Sequence, residues 1–148
     1  MISVVLNSAE MARTEEIATR RMNESIRQGL KDKAGCKRNL PGDILGCRGE
    51  LALAKALGEE WDESVNTFKN PDVGDVQVRA TELDRGSLII RPNDPDDHMY
   101  VLVTGVAPNF IVRGYIYGKD AKHAKFVRSP NGREPAYFVP QSALTEIE

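Results

Sequence analysis

A chain of 148 residues, 41% hydrophobic and 28% charged, holds material for one domain with one core. A formal net charge of −2 excludes a uniformly basic nucleic-acid binder but leaves room for a local basic patch. Two cysteines, Cys36 and Cys47, and two isolated histidines, His98 and His123, exclude a zinc array of the usual spacing. The expected state of both thiols is therefore free, in a reducing cytosol. No apolar run approaches the ~18–20 residues that a membrane span needs, and no signal peptide is evident.

Residues 2–6 form a short apolar run, read as a small strand or a leader packed on the core. Residues 8–29 read as a helix with Ser8 as N-cap and Glu10 in the first turn, where the helix dipole favours an acid. Its apolar stripe is thin (Ala9, Met11, Ala12, Ile17, Met22, Ile26, Leu30), so one face packs and one is wet. Arg13, Arg20, Arg21 and Arg27 fit a solvated face, with phosphate contact as the sharper alternative. Residues 31–41 are a basic connector carrying Lys31, Lys33, Lys37 and Arg38.

Residues 42–57 read as a second helix, capped by Asp43 and stopped by Gly58. Cys47, Leu53, Ala54 and Leu57 mark its apolar face, and Glu50 lies inside that face. A carboxylate among aliphatic neighbours is costly unless it is paired, protonated or bound to a cation. A Glu–Arg pair is the plain explanation; a functional carboxylate is the other. Trp61 is expected in the core, and residues 65–68 as a strand leading into a turn at residues 71–75.

Residues 76–81 alternate Val76, Val78 and Ala80 with Gln77, Arg79 and Thr81, the pattern of a strand with two unlike faces. Residues 87–91 form a further strand. Pro-Asn-Asp-Pro-Asp-Asp at 92–97 is a turn, without the glycine and terminal glutamate of a calcium loop. Residues 99–106 and 110–117 form a hairpin of two strands, joined at 107–109. The first is apolar enough to be covered on both faces. Residues 119–125 suggest a short basic helix, whose Lys119, Lys122, His123 and Lys125 would form a charged patch with Arg128; Lys122, Lys125 and Arg128 are the candidate nucleic-acid contacts. Residues 136–140 are a last strand and 142–147 a terminal turn. The order predicts an α+β domain spanning 1–148, with residues 1–39 as helix and connector and 40–148 as core. Its centre would be a mostly antiparallel or mixed sheet of four to five strands with helices packed on it.

Three pieces in order carry a resemblance: Gly46-Cys47-Arg48-Gly49-Glu50-Leu51-Ala52, then Pro71-Asp72-Val73-Gly74-Asp75-Val76-Gln77-Val78-Arg79, then Tyr137-Phe138-Val139-Pro140. Together they resemble small phage-encoded members of the PD-(D/E)XK, or restriction-endonuclease-like, nuclease superfamily. The resemblance implies that fold for residues 40–140, DNA as substrate and Mg2+ (or Mn2+) as cofactor. It also implies the cytoplasm, of a host if the chain is phage-encoded, no membrane association, and a homodimer as one assembly. Glu50, Asp72 and Gln77 would hold the ion, with Asp75 as second candidate for the aspartate. Such an ion takes oxygen ligands, polarises the scissile phosphate and supplies a deprotonated water. Two departures bear on the chemistry. Gln77 replaces a carboxylate and brings no negative charge. Arg79 replaces lysine; it stays protonated, so it cannot be a base but can stabilise phosphate charge. Two other functions fit the same residues. One is a nuclease-fold protein that binds without cutting, through Arg79, Lys122, Lys125 and Arg128. The other is a structural module in which Glu50 pairs with Arg79.

Overall fold

The computed structural model describes residues 1–27, 40–61 and 76–147. The expected strand at 65–68 and the turn at 71–75, with Asp72 and Asp75, lie outside the described residues, as does most of the basic connector.

Helix α1 (Ser8–Arg27) begins one residue earlier than its predicted cap implies. Asn7, not Ser8, is the N-cap. Its Oδ1 accepts from the Glu10 amide at 2.8 Å, while Glu10 Oε1 accepts from the Asn7 amide at 2.8 Å. This reciprocal pair satisfies two amides that the first turn leaves without helical partners. Helix α2 (Leu40–Leu57) ends at Gly58, whose φ of 69° is the left-handed conformation that glycine adopts without strain. The Gly58 amide donates to Lys55 O and the Glu59 amide to Ala54 O, which closes the helix as a Schellman motif.

The two helices run antiparallel. Ile17 and Ala18 pack on Cys47, Arg48 donates to Thr14 and Glu15, and Lys55 reaches Glu10. Below them lies a four-stranded mixed sheet in the order β1–β5–β4–β2. Its strands are β1 (Ile2–Val5), β2 (Val76–Thr81), β4 (Met99–Val106) and β5 (Asn109–Tyr117). A second, antiparallel sheet has the order β3–β7–β6, from β3 (Leu88–Ile90), β6 (Val127–Arg128) and β7 (Ala136–Val139). The α+β class holds. The mixed four-stranded sheet also holds, with β2 pairing β4 in parallel, but β3 and β7 leave it for a second sheet. A parallel pair needs a crossover, and residues 82–98, β3 among them, supply it.

Successive residues of β2 and β4 serve two cores. Val78, Val101 and Val103 join Val4, Leu53 and Phe110 under α2. Tyr100 and Leu102 join Leu88, Ile90, Phe126 and Val139 on the opposite face. This explains the unbroken apolarity of residues 100–103: the strand is buried on both sides. The predicted basic helix at 119–125 is shorter. α3 (Gly118–Ala121) makes one turn, and a 3-10 turn follows at Ala124–Phe126. The break lets both Ala121 and Phe126 reach the second core.

Gly49 sets the spacing between α2 and the sheet. A Cβ placed there would lie 2.8 Å from Ala80 Cβ and 3.3 Å from Val78 Cγ1. Gly49→Val should lower unfolding free energy by about 1–3 kcal/mol through overpacking. Urea denaturation checks this; a variant as stable as the parent would show that the helix rides freely over β2.

Candidate functional site

Glu50 is enclosed, with 8% of its side chain exposed. Its position on α2 is turned off the sheet-facing Gly49 towards the seam with α1. Arg21 Nη1 donates to both carboxylate oxygens, at 2.9 Å to Oε2 and 3.1 Å to Oε1. Trp61 Nε1 donates to Oε1 at 3.0 Å. Arg21 itself is 15% exposed and also lies 3.6 Å from Cys47 Sγ. The carboxylate inside the apolar stripe therefore meets a guanidinium and an indole N–H, as burial of a charge requires. Its cation is Arg21, where the structural alternative had placed Arg79. Arg21 belongs to the buried side of α1 with Thr14, Ile17, Ala18 and Ser25. The 3–4 spacing of those residues was the signal that separates it from the exposed Arg13 and Arg20.

Gln77 and Arg79 stand on the other face of the sheet. In the parallel register Gln77 sits beside Tyr100 and Arg79 beside Leu102, whose side chains enter the second core. α2 and Glu50 lie on the face of Val78 and Ala80. Sequence reasoning grouped Glu50, Asp72 and Gln77 around one ion; of these, the structure does not bring Glu50 and Gln77 to one face, and Asp72 and Asp75 are outside the described residues. Among the described residues, no three His, Cys, Asp or Glu side chains gather as a metal group. Glu50 has the charge and enclosure of a cation ligand, but the described residues alone do not complete a magnesium shell.

Arg79 is held. Its Nη2 donates to Asp94 Oδ2 at 3.2 Å, and its guanidinium lies 5.1 Å from the Tyr100 ring centroid. Asp94 Oδ2 also accepts from the Arg91 amide at 2.8 Å. Gln77 Nε2 is 3.4 Å from His98 Nδ1. The Tyr100 hydroxyl donates to Pro95 O at 2.8 Å. Burial pushes that hydroxyl up to about 12, with the Asp94 carboxylate adding to the shift, so it remains a donor. Residues 92–97 form the turn that the sequence predicts, but Asp94 within it is buried, which sequence reasoning did not single out.

The basic patch is also redistributed. Lys122 donates to Pro92 O at 2.9 Å and to Asp94 O, and pairs with Asp96. It clamps the 92–98 loop instead of facing solvent. Lys125 and Arg128 are exposed, Lys125 lying over the Phe126 ring at 5.1 Å. An apolar groove of about 550 Å³ opens between Leu53, Val76, Met99 and Tyr115; neither Glu50 nor Arg79 lines it. No helix among the described residues is long and apolar enough to cross a membrane. Compared with known proteins, the chain matches no family model, no curated protein and no solved structure.

Proposed function

We propose that the chain is an Mg2+-dependent nuclease that hydrolyses DNA phosphodiester bonds, of the PD-(D/E)XK type. The observation that supports it most is Glu50. It is an enclosed carboxylate whose charge is met by a cation, on the helix that packs through Gly49 against the strand of Gln77 and Arg79. In this reading Glu50 and Asp72, with Asp75 as second candidate, hold the ion. Gln77, on the face away from α2, has less support as a ligand. When bound, the ion supplies a polarised phosphate and a deprotonated water. Arg79, on the same far face as Gln77, binds DNA phosphate away from the ion, Trp61 and Arg21 keep the Glu50 carboxylate oriented, and α1 closes the seam to water. Supercoiled plasmid and single-stranded DNA incubated with Mg2+ or Mn2+ test the reading. Nicking that a chelator abolishes is the expected result; no cutting of either substrate with either metal would overturn it.

A second reading, binding without cutting, is favoured by a specific pairing. Both charged motif residues among those described already have partners within the chain: Glu50 has Arg21 and Arg79 has Asp94. Salt-sensitive retention of DNA with no cleavage product would select it.

A further inference from the structure

We propose that Asp94 and Tyr100 are positioning residues that hold Arg79 as a ready-made fork for one nucleic-acid phosphate. The proposal rests on the nucleic-acid reading above, whether or not the DNA is cut. An arginine on a strand is ordinarily a mobile side chain, and fixing it costs rotamer entropy on binding. Here the cost is met in the fold. Asp94, with 2% of its side chain exposed, grips one edge of the guanidinium, and the Tyr100 ring backs its plane. Arg79 nevertheless keeps 22% of its side chain exposed. A guanidinium has five N–H donors in a planar fork, so donors remain after Asp94 takes its share, and the fork matches two phosphate oxygens.

The support beneath Asp94 is itself rigid. The Arg91 amide fixes its carboxylate, Lys122 ties Pro92 O and Asp94 O, and the Tyr100 hydroxyl ties Pro95 O. Gly118 closes the far side: a Cβ there would fall 2.5 Å from Pro95 O. A solvent turn needs none of these ties. Four separate tethers hold one acidic loop, two of them on Asp94 itself, and point to orientation of the guanidinium that Asp94 grips. The neighbouring Gln77 and His98 lie on the same face and add polar groups beside it.

The sign of the Asp94 effect separates positioning from simple neutralisation. If Asp94 only cancelled the charge of Arg79, Asp94→Asn would make DNA bind more tightly. Positioning predicts the reverse. The test is anisotropy of labelled single- and double-stranded oligonucleotides, free of divalent metal, over a salt series, with melting temperatures measured in parallel. Asp94→Asn and Arg79→Lys should each weaken binding about tenfold or more. Asp94→Asn should also reduce the salt slope by roughly one unit, the mark of a lost phosphate contact that a purely structural role would not produce, while Arg79→Lys keeps its charge and loses affinity through the missing fork. Arg79→Lys retains the charge opposite Asp94, so it carries the test if Asp94→Asn fails to fold. Equal or tighter binding by Asp94→Asn, or parental affinity in Arg79→Lys, overturns the proposal while leaving the nucleic-acid reading in place. A parent protein that binds neither oligonucleotide at low salt overturns both.

Discussion

Replacing Arg21 by methionine should lower the free energy of unfolding by about 3–5 kcal/mol, the cost of stranding a buried charge. The Glu50 carboxylate would keep the Trp61 N–H but lose the guanidinium that now meets both its oxygens. In a chain of this size the melting temperature should fall by roughly 10 °C. The companion result is as informative. Arg21→Met combined with Glu50→Leu removes both charges and leaves apolar surface between α1 and α2. It should recover most of the loss, because apolar side chains replace buried ion pairs at little net cost. The pair's coupling follows from the double-mutant cycle. By contrast Arg20→Ala, which breaks an exposed pair with Glu16, should change stability by less than about 1 kcal/mol. Chemical denaturation of the parent, Arg21→Met, Glu50→Leu, their double variant and Arg20→Ala measures all of this. If Arg21→Met unfolds like Arg20→Ala, the α1–α2 seam is not held by the Glu50 pair.

Glu50→Gln should leave the fold standing and remove cleavage. The glutamine oxygen still accepts from Arg21 and Trp61, while the amide nitrogen gives up the Arg21 bond that the second carboxylate oxygen accepts, so the seam keeps most of its hydrogen bonds and loses its negative charge. In the nuclease reading the loss of rate should exceed ~100-fold, since groups that only support a metal ligand are worth 10–100-fold. Trp61, the only tryptophan in the chain, reports on the same site. Its emission should match the parent's if packing is preserved. DNA affinity should also persist, because Arg79, on the opposite face, is untouched. Cleavage at the parental rate by a folded Glu50→Gln protein would remove Glu50 from the chemistry. Lost DNA binding would mean that α2, not the Arg79 face, meets the nucleic acid.

Much of the fold is legible where local pattern decides. β2, β4, β5 and β7 fall where the sequence pattern places them, and Gly58 ends α2 because only a residue at ease with positive φ closes that cap. What local pattern cannot carry is partnership. β3 is three residues long, and its pairing with β7 depends on a contact about fifty residues away in the chain. The parallel β2–β4 pair likewise follows from the path of the 82–98 crossover. The site divides in the same way. Glu50 is visible because a carboxylate interrupts an apolar stripe, and burial follows. Arg21 is hidden among four arginines on a polar helix, and only its spacing from Ile17 and Ser25 betrays it. Asp94 is hidden more deeply. Two prolines and three aspartates read as a turn, and its burial arises only when Arg79 and Lys122 reach it from other elements and Tyr100 ties the adjoining Pro95 O. Lys122 errs in the opposite direction: an ammonium that looked free for phosphate is used by loop carbonyls.

The reading turns on whether Glu50 answers to a divalent ion as well as to Arg21. Crystals of the parent protein grown with Mn2+ and examined for anomalous scattering decide it. The account predicts a peak at direct coordination distance from a Glu50 carboxylate oxygen, roughly 2.1 Å for a small hard divalent ion, with Arg21 displaced or sharing the carboxylate. A Glu50 still bound only by Arg21 and Trp61 at saturating Mn2+, with no peak beside it, would contradict the account and leave an ion pair that holds two helices together.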